Sequence, residues 1–237
     1  MGVILFPAST AVTMAEKVGG WPTDLAVEQV HGRVWSGRMT GVAWQGEAVG
    51  DVHWQLRPVL GWNRQARADL RITGEDITAR GQMEAGLGQK WRVEGVDGNL
   101  TLDFARQWLS RPLPATGHVM FEGVTLSGGP EAWQEAEGQL RWKDASLLMP
   151  NAMEAGEQRA RLAVVDRDLE IRIRSAGDAA VQTQGVVRAK DQPGAGPVEW
   201  AMAASGPADW SERIRNLTGQ TENEDGDFEW HGTMQMR

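Results

Sequence analysis

Apolar and polar residues alternate with a period of two along almost the whole chain. Val52, Trp54 and Leu56 interleave with His53, Gln55 and Arg57. Ala66, Ala68, Leu70 and Ile72 interleave with Arg67, Asp69, Arg71 and Thr73, and Ile77, Ala79, Met83 and Ala85 with Thr78, Arg80, Gln82 and Glu84 around Gly81. The alternation returns in Leu100-Leu102-Phe104, Val119-Phe121, Leu140-Trp142, Leu162-Val164, Leu169-Ile171-Ile173, Val198-Trp200-Met202 and Phe228-Trp230. Successive side chains of a strand point to opposite faces, so each segment has one dry and one wet face. That is the pattern of antiparallel strands covered on one side. The chain is expected to be all-β: an extended, strongly curved or sandwich-like antiparallel sheet of about a dozen amphipathic strands with one or two short helices.

The punctuation agrees with this reading. Asp166-Arg167-Asp168 and Lys190 to Pro197 separate alternating runs as hairpin loops do. A phrase of the form Gly-x-apolar-x-apolar recurs at Gly32 (one spacer short), Gly98, Gly117, Gly138 and Gly232. Its spacing is too irregular for a propeller or β-helix, and it predicts a bend or bulge at the entry of each strand. Helix is expected over Pro207 to Leu217, with Trp210, Ile214 and Leu217 on one face, and for a turn or two within Phe104 to Arg111. With so little helix available, the strands must cover one another as a sandwich, a barrel or a curved sheet. Residues 21–237 are read as one β domain, with a break into two lobes near residues 151–157 if there is one.

At 237 residues the chain is long enough to bury about 70–75% of its unfolded surface without a metal or disulfide. A net charge of −8 argues against nucleic acid as a partner. Cysteine is absent, which removes thiolate nucleophiles, disulfides and Cys-based zinc sites. The N-terminal apolar run Val3 to Phe6 stops at Pro7, far short of the roughly 20 residues of a membrane span.

No catalytic constellation emerges, and no cofactor or metal is expected. Ser36 lies in no Gly-x-Ser-x-Gly elbow, and Ser36-Gly37 reads as a turn pair. His31, His53, His118 and His231 lack metal-ligand spacing, and surface positions account for them. Thr221 to Trp230 half-resembles a calcium loop. With Gly226 at its sixth place the twelfth is Gly232, so the bidentate glutamate is missing and a solvated loop is expected. Gly86 to Trp91 lacks the third glycine and the helix of a dinucleotide site. Of the twelve tryptophans, Trp54, Trp142, Trp200 and Trp230 fall on apolar strand faces. Trp35 and Trp62 are the candidates for the surface, where glycan binding is the weakest of the readings they allow.

The stretch from Val30 to Pro58 resembles the start of the periplasmic part of the type II secretion system protein N family. The resemblance rests on Gly32, Val34, Trp35, Ser36 and Gly37, then Trp54, Leu56 and Pro58. Ala115 to Leu126 and Ala136 to Leu147 look like that family's middle strand pair, and Ser205 to Leu217 with Glu224 to Met234 like its closing helix and strand. The resemblance implies a non-enzymatic accessory subunit on the inner-membrane side of a bacterial secretion machine. Its partners would be the other inner-membrane platform proteins. It further implies a single N-terminal membrane anchor, with residues 1–20 as the stub that follows it and the domain in the periplasm. The pattern is also similar to AsmA-like proteins, which implies, as an alternative, a groove that binds or passes lipid. Trp35, Ser36, Gly37 and Trp62 are the candidate partner contacts.

Overall fold

Each alternating segment pairs with the next one along the chain. The computed structural model describes residues 7–9, 24–57, 66–86, 90–106, 115–147, 153–177, 179, 181–190, 197–218 and 221–235. The first strands are β1 (Leu25–Ala26), β2 (Gln29–Arg33), β3 (Ser36–Trp44), β4 (Glu47–Arg57), β5 (Ala66–Thr73), β6 (Ile77–Ala85) and β7 (Trp91–Thr101). After the short helix α1 (Leu102–Arg106) come β8 (Ala115–Gly128), β9 (Trp133–Leu147), β10 (Met153–Glu154), β11 (Gln158–Val165), β12 (Asp168–Ser175), β13 (Gln182–Ala189) and β14 (Pro197–Ser205). Helix α2 (Ala208–Thr218) then leads into β15 (Phe228–Gln235).

All fifteen strands belong to one antiparallel sheet, which stays open and in which neighbours in space are neighbours in sequence from β3 onward except where β11 follows β9. β1 and β2 both pair with β3, and β10 folds back on β9. β11 pairs directly with β9, so the ladder runs on from one to the other. Two of the two-residue hairpins are built at Gln45-Gly46 (φ 53° and 87°) and Asp166-Arg167 (φ 51° and 76°). Positive φ at both central residues is the type I′ geometry that matches the strand twist.

Substantial strand-to-strand contacts run along the ladder, and no second sheet packs face to face among the described residues. Of the forms the alternation allowed, the extended open sheet is the one found, and the sandwich is not.

The best-formed core lies at the C-terminal end, where α2 closes over the apolar face. Phe228 (0% exposed) and Trp210 (3%) pack edge to face at 5.5 Å, with Val181 and Ala204 around them. Trp230 stacks on Phe228 at 6.1 Å, and Ile214 packs against the same cluster. Helix α2 falls where the sequence predicts it; the Leu217 side chain lies outside the described residues. The run Leu100-Leu102-Phe104 needs correction. The strand ends at Thr101, and Leu102 and Phe104 are buried in α1. The Thr101 hydroxyl accepts the Phe104 N–H (3.2 Å) as an N-cap, and Asp103 stands in the first turn.

The glycines of the recurring phrase lie within strands and not at their entries, and the clearest bulges fall at two other glycines. Gly41 and Gly123, both with φ near +60°, sit at register shifts of β3 and β8. Their N–H groups are donated to Asp51 (3.3 Å) and Asp97 (2.9 Å). A bulge leaves its extra residue without a ladder partner, and a neighbouring carboxylate supplies one. The Asp97 carboxyl is held below its ordinary range, first by the Gly123 N–H and then by Arg80.

Candidate interaction site

The first hairpin differs in detail from the expectation. β2 and β3 are joined through Val34-Trp35, which form the two-residue turn, while Ser36 and Gly37 already belong to β3. Ser36 pairs with Arg33 and Gly37 with Gly32. The turn is shifted because Gly32, at φ +95°, brings the two backbones so close that an added Cβ would stand 2.7 Å from Gly37 Cα. Trp35 is half-buried and Ser36 exposed. Trp62 lies outside the described residues.

Two hydrogen bonds tie this tip to β4. The Leu56 N–H donates to the Trp35 carbonyl (2.7 Å), and the Trp54 indole N–H donates to the Val34 carbonyl (2.9 Å). Trp54 reaches Val34 by lying across Gly37, its direct partner on β3. A Cβ at Gly37 would be 2.5 Å from Trp54 Cζ2 and 2.4 Å from the His31 carbonyl oxygen.

The device recurs along the sheet. Trp142 crosses Gly117 and donates to the Thr116 carbonyl (3.1 Å), Phe121 covers Gly98, and Trp200 covers Gly232. In a one-layer sheet, an aromatic ring laid flat over a glycine shields apolar area that no second layer covers. Gly37→Val is therefore expected to lower stability by about 1–3 kcal/mol, through overpacking against Trp54. Gly177→Ala is the matched control, since a Cβ there meets nothing within 4 Å. Denaturant midpoints of the two variants check this, and equal midpoints would contradict it.

On the opposite, polar face the hairpin borders a shallow concavity of about 650 Å³ across β3 to β6. Ser36, His53, Gln55, Asp69, Arg71 and Gln82 line it. Arg57 grips Asp69 with two hydrogen bonds, of 2.6 and 3.0 Å. Among the described residues, no hydrogen bond joins Ser36 to His53 or His53 to Asp69, so the polar groups do not form a relay. Periodicity alone missed this concavity, because alternation reports which side chains share a face and not how that face curves.

The titratable groups with displaced pKa sit in pairs that hold the sheet together. Glu170 on β12 is completely buried and accepts from Arg172 Nε (2.5 Å) and Arg188 Nε (2.8 Å). Those two guanidinium groups, Arg172 foremost, hold its carboxyl below the ordinary range. Arg92 is raised, chiefly by its bidentate contact with Glu135, and Glu157 is lowered by Arg159. His31, His53, His118 and His231 stand on β2, β4, β8 and β15, all exposed, and His118 lies 3.7 Å from Asp144. Among the described residues no three His, Asp or Glu side chains are grouped to hold a metal ion, and no helix is long and apolar enough to cross a membrane.

Comparison with known proteins bears directly on the opening motif. The family model described as "Type II secretion system (T2SS), protein N" matches residues 23–229, which is nearly all of the sheet. The chain is also similar to the type II secretion system protein N of Vibrio cholerae serotype O1, with 31% identity over 134 residues, 54% of this chain and 53% of that protein. It thus spans about half the length of the curated relative it matches. No solved structure matches. The family match, over a sheet whose first hairpin carries the Trp-Ser-Gly motif, identifies the chain as a member of the type II secretion system protein N family.

Proposed function

We propose that the chain is a non-enzymatic accessory subunit of a type II secretion system, positioned on the inner-membrane side with its β domain in the periplasm. Family membership supplies the system. The observation that carries the mode of action is the architecture: one open layer with two extended faces, and a Trp35 tip fastened to β4 by two hydrogen bonds. Such a sheet presents both faces to its surroundings and uses its ionisable groups to fix cross-strand register. These are properties of a docking element. Its partners, on this reading, are other inner-membrane platform proteins, with membrane attachment through an N-terminal anchor.

Protease treatment of spheroplasts tests the placement. Cleavage of the β domain while the inner membrane stays sealed is expected. Protection until the membrane is disrupted would contradict it.

One feature favours a second reading, in which the apolar face binds lipid. Met83, 38% exposed, stands opposite Ala68 on the same face as Trp54 and Leu70, and no second layer of described residues covers it. Native mass spectrometry of protein purified from envelopes distinguishes the readings. Co-purified lipid supports the groove, and a lipid-free protein that still engages the secretion subunits removes it.

A further inference from the structure

The C-terminal half of the polar face carries positive charge arranged in rows, on a chain whose overall charge is −8. Arg141, Arg159 and Arg174 are direct cross-strand neighbours on β9, β11 and β12, and Arg161 and Arg172 are paired in the next row. Like charges directly opposite one another destabilise a ladder, so folding does not account for such rows. The chain neutralises part of the patch itself, through Glu122 on Arg141 (3.4 Å), Glu157 on Arg159 (2.9 Å) and Glu170 on Arg172 and Arg188. Arg161 and Arg174 are exposed and have no acidic side chain within ion-pair distance among the described residues.

Beside the rows lies a dip. A concavity of about 340 Å³ adjoins Arg172 and Arg174. Val186, Ala201 and Ala203 continue the same cross-strand rows, so small side chains stand where the alternation would place polar ones. Gln184 and His231 border the dip, and Glu229 closes its far end, hydrogen-bonded to Asn223 (2.7 Å). One end is therefore cationic, the floor is low and apolar, and the other end is acidic.

We infer that this face docks an acidic protein segment in extended conformation, with carboxylates on alternate residues meeting the arginines and the adjoining chain lying in the dip. Geometry supports the choice. Arg159 and Arg161, like Arg172 and Arg174, are two residues apart on one strand, a separation of about 6.8 Å, which is also the spacing of alternate side chains in an extended peptide. Guanidinium groups bind carboxylates in a bidentate fashion. A bilayer fits the face less well. Apart from Met120 and Val186, the neighbouring side chains are Gln139, Gln184, Ala201 and Ala203, and the cross-strand partners in these rows include no Trp, Phe, Leu or Ile with which a surface enters lipid. This docking does not depend on the secretion assignment.

The test uses a fluorescent peptide of alternating Glu and Thr, titrated with the chain at about 150 mM salt, where exposed charges beyond roughly 8 Å are screened. Saturable one-to-one binding is expected, with no binding of the Gln/Thr analogue. Arg161→Gln with Arg174→Gln should weaken it by at least about tenfold. Arg38→Gln with Arg71→Gln removes equal charge from the other half of the same face and should change it less than about twofold. Arg161→Glu with Arg174→Glu should transfer the preference to a Lys/Thr peptide, an outcome that an unfolded variant does not give. Equal weakening by both Gln pairs, or equal affinity for the Gln/Thr peptide, would overturn the proposal. So would retention on phosphatidylglycerol vesicles, lost in R161Q/R174Q, without peptide binding.

Discussion

Replacing both arginines that cover Glu170, in Arg172→Ala with Arg188→Ala, is expected to cost about 1.5–3 kcal/mol, the usual worth of hydrogen bonds to a charged group. The carboxylate is 0% exposed and its two charge-assisted hydrogen bonds come from these side chains. The reverse change, Glu170→Gln, should cost less, because both guanidinium groups are half-exposed or more and return to water. Acid dependence gives a second readout. The folded-state pKa of Glu170 is depressed, so its contribution is complete above the unfolded value of about 4.3 and is lost as pH falls through the lower folded value. In the double-alanine variant the hydrogen bonds that depress the carboxyl are gone and water reaches it, so this part of the acid dependence should disappear. Denaturant midpoints across an acid series measure both effects, and superimposable curves would contradict the account.

Phe228→Ala should be more damaging, at about 3–5 kcal/mol for a fully buried aromatic side chain. Phe228 sits between Trp210 and Trp230 and supplies the surface on which α2 rests. Losing it leaves a cavity under the element that covers this end of the apolar face. The loss is expected to be local first, with hydrogen exchange rising in α2 and β15 before the central strands. Uniform acceleration over the whole sheet would show that the ladder unfolds as one unit and that the cluster is not a separate core.

The strand order and the faces were legible because both follow from a period of two and from turn chemistry. Val52, Trp54 and Leu56 share one face of β4 as their alternation requires, and Asp166-Arg167 makes the hairpin its composition predicts. The layer count was not legible. One apolar face per strand is compatible with a sandwich or a single sheet, and only the absence of face-to-face packing distinguishes them. Leu102 and Phe104 were misassigned because alternation continued into a segment that Thr101 caps as a helix.

At the first hairpin, the Ser-Gly pair carried a turn signal that local propensity favoured. The close approach of Gly32 and Gly37, and the ring of Trp54 across the latter, moved the turn to Val34-Trp35. The first is a contact within the hairpin, five residues apart, and the second joins positions 17 residues apart, 54 − 37. The rule they leave is readable in hindsight: a glycine in register with a tryptophan on the next strand marks a place where the ring lies flat. The arginine rows were equally hidden. Arg141, Arg159 and Arg174 are spread along the chain, and only the registers of β9, β11 and β12 bring them together.

The most direct test of the role proposed for this sheet is photo-crosslinking in the bacterial envelope, with a photoreactive residue replacing Trp35 in the full-length protein. Trp35 is half-buried at a hairpin tip held in place by the Leu56 N–H and the Trp54 indole, so its neighbourhood is defined. Recovery of adducts with inner-membrane secretion subunits is the expected result. Lipid adducts alone, with no secretion subunit recovered, would contradict the docking role and transfer the assignment to the apolar groove.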